Sequence, residues 1–186
     1  MIWTLMVLPL WALATIPAPV PLDDLFSAAD QVLLVQVVEG RVLGPGENNC
    51  GARYVGTVKR SFKGMPNASH VEFGPHSQLR LGVYYLLFLT KSETPYERYV
   101  STNSGHLNAK AEYAKRCKGF MAPYAIMHFG SGAMIVNDGD SNVDNWVVNW
   151  RTLITLPKSV KVKETRTHFL VTVGEIAKVL KPRSGE

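Results

Sequence analysis

Between residues 30 and 89 the chain passes through four apolar stretches, DQVLLVQVVEGRV, RYVGTVKRSFKG, HVEFG and LRLGVYYLLFL, separated by glycine, proline and asparagine. Residues 32–42 are apolar on both faces apart from Gln36, Glu39 and Arg41, the pattern of a long strand whose middle is covered on each side and whose far end faces water. In 53–63 the period of two places Tyr54, Val58 and Phe62 on one face and turns Lys59 and Lys63 away, with Gly56 at a bend or bulge. A short strand at 70–73 and a very apolar one at 79–89, coiled at Gly82, complete the series. Further strands are predicted at 125–129, 133–137, 146–156 and 160–164. Runs this short and this close together predict a mainly β chain folded as a small antiparallel barrel or sandwich.

Helical signals are sparse. Residues 22–29 suit one or two turns, and Leu107, Ala111 and Ala114 have helical spacing for a mid-chain helix ending near Cys117. The last helix is better marked. Thr172-Val173-Gly174-Glu175 is a capping box, Val173, Ile176 and Leu180 form one apolar face, and Pro182 stops it.

The first residues, MIWTLMVLPLWALATIP, carry no charge and read as a secretory signal segment over 1–14, cut after Ala14, with 1–18 and a cut after Ala18 as the alternative. Retention as an N-terminal anchor is the other reading. Export to a periplasmic or secreted location makes one disulfide the expected state of Cys50 and Cys117, with two separate thiols as the alternative. The remaining chain, 15–186, is expected to be a single domain.

Charge changes the picture only at one end. The net charge is +5, and residues 1–150 sum to zero, with twelve basic and twelve acidic side chains. The segment 151–186 holds eight basic groups against three acidic ones. Lys158, Lys161 and Lys163 either meet an anionic partner, such as a membrane or envelope surface, or keep an edge strand soluble and unpaired.

Ala29-Asp30 before VLLVQVVEGRV, then YVGTVKRSFKG, then LGVYYLLFL, resembles the bacterial members of the tissue-inhibitor-of-metalloproteinases-like, or netrin-like, family over about residues 29–119. The resemblance implies an exported, cysteine-poor OB-fold barrel, and the expected fold is a small OB-like antiparallel barrel with the mid-chain and C-terminal helices read above. Animal inhibitors of that family chelate their target's zinc through a first-residue cysteine. Here the first cysteine is Cys50, behind a complete strand, so that mechanism does not carry over.

Candidate chemistry is thin. Asp138, Asp140, Asn142 and Asp144 place oxygens at every second position, either a calcium loop or an Asx-rich turn, and the helix-loop-helix calcium pattern is broken by Val143 and Asn149. His70, Glu72 and His76 lie across a turn, with only His70 and Glu72 on one strand face, while His106, His128 and His168 are scattered. Gly130-Ser131-Gly132 lacks the spacing of a nucleophile elbow. Trp146, Val148 and Trp150 share a face, as core or as a stacking platform. Asn67-Ala68-Ser69 has glycosylation spacing. The expected function is therefore a non-enzymatic exported binding module, an inhibitor or an envelope accessory protein with a protein partner and no nucleic acid. The alternatives are an extracytoplasmic enzyme whose polar residues converge from distant segments, or an envelope-surface protein using 151–186.

Overall fold

Two strands with apolar residues on both faces organise the molecule. The computed structural model describes residues 19–43, 50–64, 69–74, 79–92, 117, 122–127, 130–150, 153–165 and 169–180. In chain order the elements are β1 (Val20–Pro21), α1 (Leu22–Ala28), β2 (Gln31–Val42), β3 (Ala52–Lys63), β4 (His70–Phe73), β5 (Tyr84–Lys91) and β6 (Tyr124–Ile126). They continue as β7 (Ala133–Asn137), a 3₁₀ turn (Val143–Asn145), β8 (Val147–Trp150), β9 (Ile154–Thr155), β10 (Lys163–Glu164), β11 (Phe169–Thr172) and α2 (Val173–Val179).

β2 lies between β3 and β5, β3 pairs with β4, and β6 joins β4 in parallel at Phe73 and Tyr124 before returning to β5 antiparallel. This closes a five-stranded, OB-like barrel with one parallel pair. From β5 the sheet also runs outward through β7, β8 and β11 to β10. β5 thus serves both the barrel and an open extension.

That double role explains why β2 and β5 are apolar on both faces. Leu33, Val35, Val37, Tyr85, Leu87 and Leu89 fill the barrel with Tyr54, Val71 and Phe73. Their neighbours Val32, Leu34, Leu86 and Phe88 face the other way, into a second core with Met134, Trp146, Val148 and Trp150, closed by Leu22 and Leu25 of α1 and by Val173 and Ile176 of α2. Each fully buried side chain of this size contributes roughly 1.5–3 kcal/mol.

β3 departs from a simple period of two. Its register against β2 shifts between Val32 and Leu33, between Leu34 and Val35, and between Val37 and Glu39. The second shift, at Lys59, flips the face of the residues beyond it, so that Tyr54 and Val58 pack in the barrel whereas Phe62 packs on the second core. The expectation that all three share a face is corrected accordingly. Gly56 lies where β3 crosses β2 most closely; a Cβ there would stand 3.0 Å from Val35 Cβ. Lys63 donates from Nζ to the carbonyls of Phe26 (2.8 Å) and Ser27 (2.9 Å), satisfying the last turn of α1.

Other boundaries also move. The strand expected at 79–89 begins only at Tyr84, because Gly82 (φ +77°) makes a turn whose N–H donates to Val37 O at 2.7 Å. The strand expected at 146–156 divides into β8 and β9, the latter pairing in parallel with β1 in a separate two-stranded sheet. Of 160–164 only Lys163 and Glu164 are strand. The C-terminal helix is as expected: Thr172 Oγ1 accepts the Glu175 N–H at 3.3 Å, and Val173, Ile176 and Leu180 are buried. The mid-chain helix falls on residues of which only Cys117 is described, and the signal segment lies outside the described residues.

Asp30 ties the entrance of β2 to the exit of β5. Its Oδ2 accepts the Lys91 N–H (2.7 Å) and the Thr90 hydroxyl (3.1 Å). Chiefly the Lys91 N–H, then Thr90 and the charges of Lys91 and Lys63, hold its carboxyl below the usual carboxylate range. Because the folded-state pKa is the lower one, the stabilisation is complete above the unfolded-state pKa and disappears as pH falls through the folded value. Asp30→Asn is therefore expected to be less stable than the parent near neutrality, with the gap narrowing on acidification. Urea midpoints of both proteins across pH measure this, and a gap independent of pH would reject the assignment.

Candidate functional site

The strongest chemical feature among the described residues is a covalent one. Cys50 and Cys117 form a disulfide with a Cα–Cα separation of 5.5 Å, and both are buried. It joins the residues leading into β3 to the connection between β5 and β6. In OB barrels these two connections flank the face that takes ligands. No free cysteine is present among the described residues.

Beside this junction the ends of β2 and β3 extend as a two-stranded ribbon. Val38, Val42 and Leu81 are 48%, 68% and 59% exposed, the three most exposed large hydrophobic residues described. Gly40 lies between the two valines in β2, and a Cβ at Gly40 would approach Leu81 Cδ2 to 3.4 Å, so Leu81 rests over the strand at this point. Val42 is opposite Ala52, two residues from Cys50. Arg53 and Glu72 form an ion pair on the neighbouring strands β3 and β4, both well exposed. Val42 and Leu81, on the face of Gly40 and Tyr54, form an exposed apolar ridge beside the disulfide, whereas the bulge at Val38 separates that side chain from them. Sequence reasoning brings the far end of β2 into water but does not find the ridge, because valine in a β-rich run signals burial. Only the length of β2 and β3 beyond their barrel neighbours leaves these residues uncovered.

The acidic loop is a network of its own hydrogen bonds. Asp140 Oδ1 accepts the Asn142 N–H (2.9 Å) and the Ser141 hydroxyl (3.3 Å), and Oδ2 accepts Asn145 Nδ2–H (2.7 Å). These bonds, the Asn142 N–H foremost, hold its carboxyl below the usual range. Asn142 Oδ1 accepts the Asp144 N–H at 3.0 Å and caps the 3₁₀ turn, while Asp144 is paired with Arg60. Asp138 is exposed. Among the described residues no three His, Cys, Asp or Glu side chains are grouped as metal ligands would be.

His70 is exposed beside the Ser69 hydroxyl, and Glu72 is the partner of Arg53. His76, His106, His128, His168 and Asn67 lie outside the described residues. Ser131 is buried in the turn before β7. Trp146, Val148 and Trp150 are core residues, with Trp146 Nε1–H donating to Asp140 O (2.6 Å) and Trp150 Nε1–H to Ile154 O (2.8 Å). Of the two readings of that stripe, packing is the one observed.

A shallow groove of about 430 Å³ runs between β3, the 3₁₀ turn and α2, lined by Arg60, Asp144, Asn145, Thr172, Glu175 and Lys178 among others. Its charges are matched within it: Arg60 meets Asp144, and Lys178 meets Glu175. Lys158, Lys161 and Lys163 are all exposed, and Lys163 belongs to β10, the outer strand of the sheet.

Comparison with protein-family profiles, with curated proteins and with solved structures finds no match.

Proposed function

We propose that the protein is an exported, non-enzymatic binding module that engages another protein through the exposed Val42–Leu81 ridge. The observation that carries this is the ridge's position on a ribbon whose loop end is held by the buried Cys50–Cys117 bond. Exposed apolar side chains fixed on a rigid scaffold, with charged residues at the margin, have the anatomy of a protein–protein contact, where a few anchors supply most of the affinity. The bond itself supports an oxidising, extracytoplasmic setting. A barrel of this topology with one disulfide is also what the metalloproteinase-inhibitor resemblance implies, and an inhibitor or an envelope accessory protein fits the same surface. Its action would rest on the ridge and not on zinc chelation, since Cys50 is committed to the disulfide.

Val42→Glu and Leu81→Glu alter positions exposed enough for the fold to be kept, with stability changes within about 0.5 kcal/mol. In photo-crosslinking in the native host, with the crosslinker at Gly40's neighbour Arg41, one discrete protein adduct is expected. Either glutamate variant should abolish it. An adduct unchanged by both substitutions, or none at all, would overturn the proposal.

A further inference from the structure

β2 outruns its partner on one side. Its pairing with β5 ends at Gln36 opposite Tyr84. The last bonds along that edge run from the Val37 N–H to Val83 O (3.1 Å) and from the Gly82 N–H to Val37 O (2.7 Å). There Gly82, at φ +77°, turns the chain off the sheet. Residues 79–81 cross instead onto the face of Gly40 and Tyr54. The Leu79 N–H donates to the Tyr54 hydroxyl, the Arg80 N–H donates to the Tyr85 hydroxyl (3.0 Å), and Leu81 lies over Gly40. Among the described residues, β2 continues from there to Val42 with β3 alone beside it.

One bond fixes the direction of the main-chain groups on the uncovered edge. The Leu43 N–H donates to Gly51 O at 2.9 Å, toward β3. Successive residues of an antiparallel strand aim their N–H and C=O at opposite edges, so Arg41 also faces β3, while Gly40 and Val42 face outward. Their N–H and C=O groups line the edge, and none of these has a partner among the described residues. The bulge between Val37 and Glu39 bounds the edge on its barrel side.

Charge decides what can pair there. Arg41 is directly opposite Arg53 on β3, and Arg53 is committed to Glu72 on β4. Arg41 itself is exposed and has no counter-ion among the described residues; Glu39, the nearest acid along β2, forms no ion pair with it. Antiparallel pairing of two copies through all the outward groups of Gly40 and Val42 would set one Arg41 directly against the other. Like charges so placed are destabilising, which disfavours a second copy of this chain and favours a strand that brings an acid.

We propose that the partner adds an extended segment to this edge of β2, with an acidic residue opposite Arg41 between two apolar residues that pack beside Val42 and Leu81. The inference rests on the protein-binding reading of the Val42–Leu81 ridge and gives the form of the partner. Main-chain bonds supply affinity in such strand addition, and the alternation of side chains supplies specificity. A crosslinker at position 41 leaves those bonds intact, because the main-chain groups of that residue face β3.

The test uses the full chain, isotope-labelled and with its disulfide intact, titrated with the blocked peptide Thr-Thr-Val-Glu-Val-Thr-Thr and with its counterpart carrying Lys in place of Glu. The Gly40 and Val42 amide protons should move downfield and become protected from exchange, while the Arg41 amide, already turned to β3, stays as it was. The Glu peptide should bind about fivefold more tightly than the Lys peptide, and Arg41→Glu should reverse that order. Gly40 and Val42 amides unmoved at millimolar peptide, or equal binding of the two peptides, would overturn the proposal. So would a dimer of the peptide-free chain in sedimentation that protects the same amides, which would assign the edge to a second copy. Loss of the native adduct in Val42→Glu and Leu81→Glu together with unmoved amides would leave the ridge reading standing and remove strand addition alone. An adduct unchanged by both glutamate substitutions would remove both.

Discussion

Replacing Cys50 and Cys117 together by alanine is expected to lower stability by about 4 kcal/mol, because the bond closes a long loop in the unfolded chain. The two cysteines are 67 residues apart. In the chain-entropy treatment a loop of that length falls between the roughly 3 kcal/mol of a fifteen-residue loop and the roughly 4.7 kcal/mol of a hundred-residue one. For a chain of 186 residues such a loss corresponds to a melting temperature lower by about 10 °C. The strands should survive, since neither cysteine belongs to one and the barrel closes through β4, β5 and β6 without them. The consequence for binding is larger than for fold. Freed from the bond, the loop end of the ribbon bearing Val42 loses its tie to the β5–β6 connection, and under the proposed function partner capture should weaken more than stability. Guanidinium unfolding of the parent and the double variant measures the first effect. A stability difference below about 1 kcal/mol would mean that the connection is already constrained without the bond.

The sequence disclosed the architecture at the places where a local signal has a single structural meaning. The double-faced apolar run of β2 calls for cover on both sides, and two cores supply it, one inside the barrel and one under the helices. Thr172 marks the start of α2, because its hydroxyl accepts the Glu175 N–H of the first turn; the Glu175 carboxylate, expected to close the box, meets the Lys161 N–H and Lys178 instead. Phe62 escapes the period for a physical reason. Periodicity assumes an unbroken strand, and the irregularities at Lys59 and Phe62 shift the faces of β3 without altering the character of the residues. The ridge of Val42 and Leu81 is hidden for a related reason: exposure depends on which partner strand runs out first, a property of the tertiary pairing. The pairing of Cys50 with Cys117 is legible because an expected oxidising compartment and a count of two cysteines leave it as the default. The hydrogen-bonded state of the 138–144 loop was open, since calcium loops and Asx turns use the same residues at the same spacing.

Leu33 and Leu34 are adjacent in β2 and both fully buried, yet they belong to different cores. Leu33→Ala should open a cavity within the barrel, opposite Leu87, and Leu34→Ala one beneath α1 and α2, opposite Leu86. Each is expected to cost about 3 kcal/mol, within the range for leucine truncation in a core that collapses only partly. The informative quantity is the double variant. Side chains on opposite faces of one strand share no cavity, so the two losses should add to within about 0.5 kcal/mol. If both leucines lined one continuous core, the second truncation would enlarge an existing cavity and the sum would fail by more than that. The route of the loss should differ too. Truncation at Leu34 should loosen α2, whose Ile176 is buried in that core, and raise amide exchange along the helix, while truncation at Leu33 should leave those amides protected up to the global limit. Urea unfolding of the two single variants and the double variant, with hydrogen exchange on α2, tests the two-core arrangement directly. Equal exchange in the two single variants, with non-additive losses, would sink it. Additivity with exchange raised only by Leu34→Ala would place the barrel and the helix-covered extension as separately packed layers sharing β2 and β5.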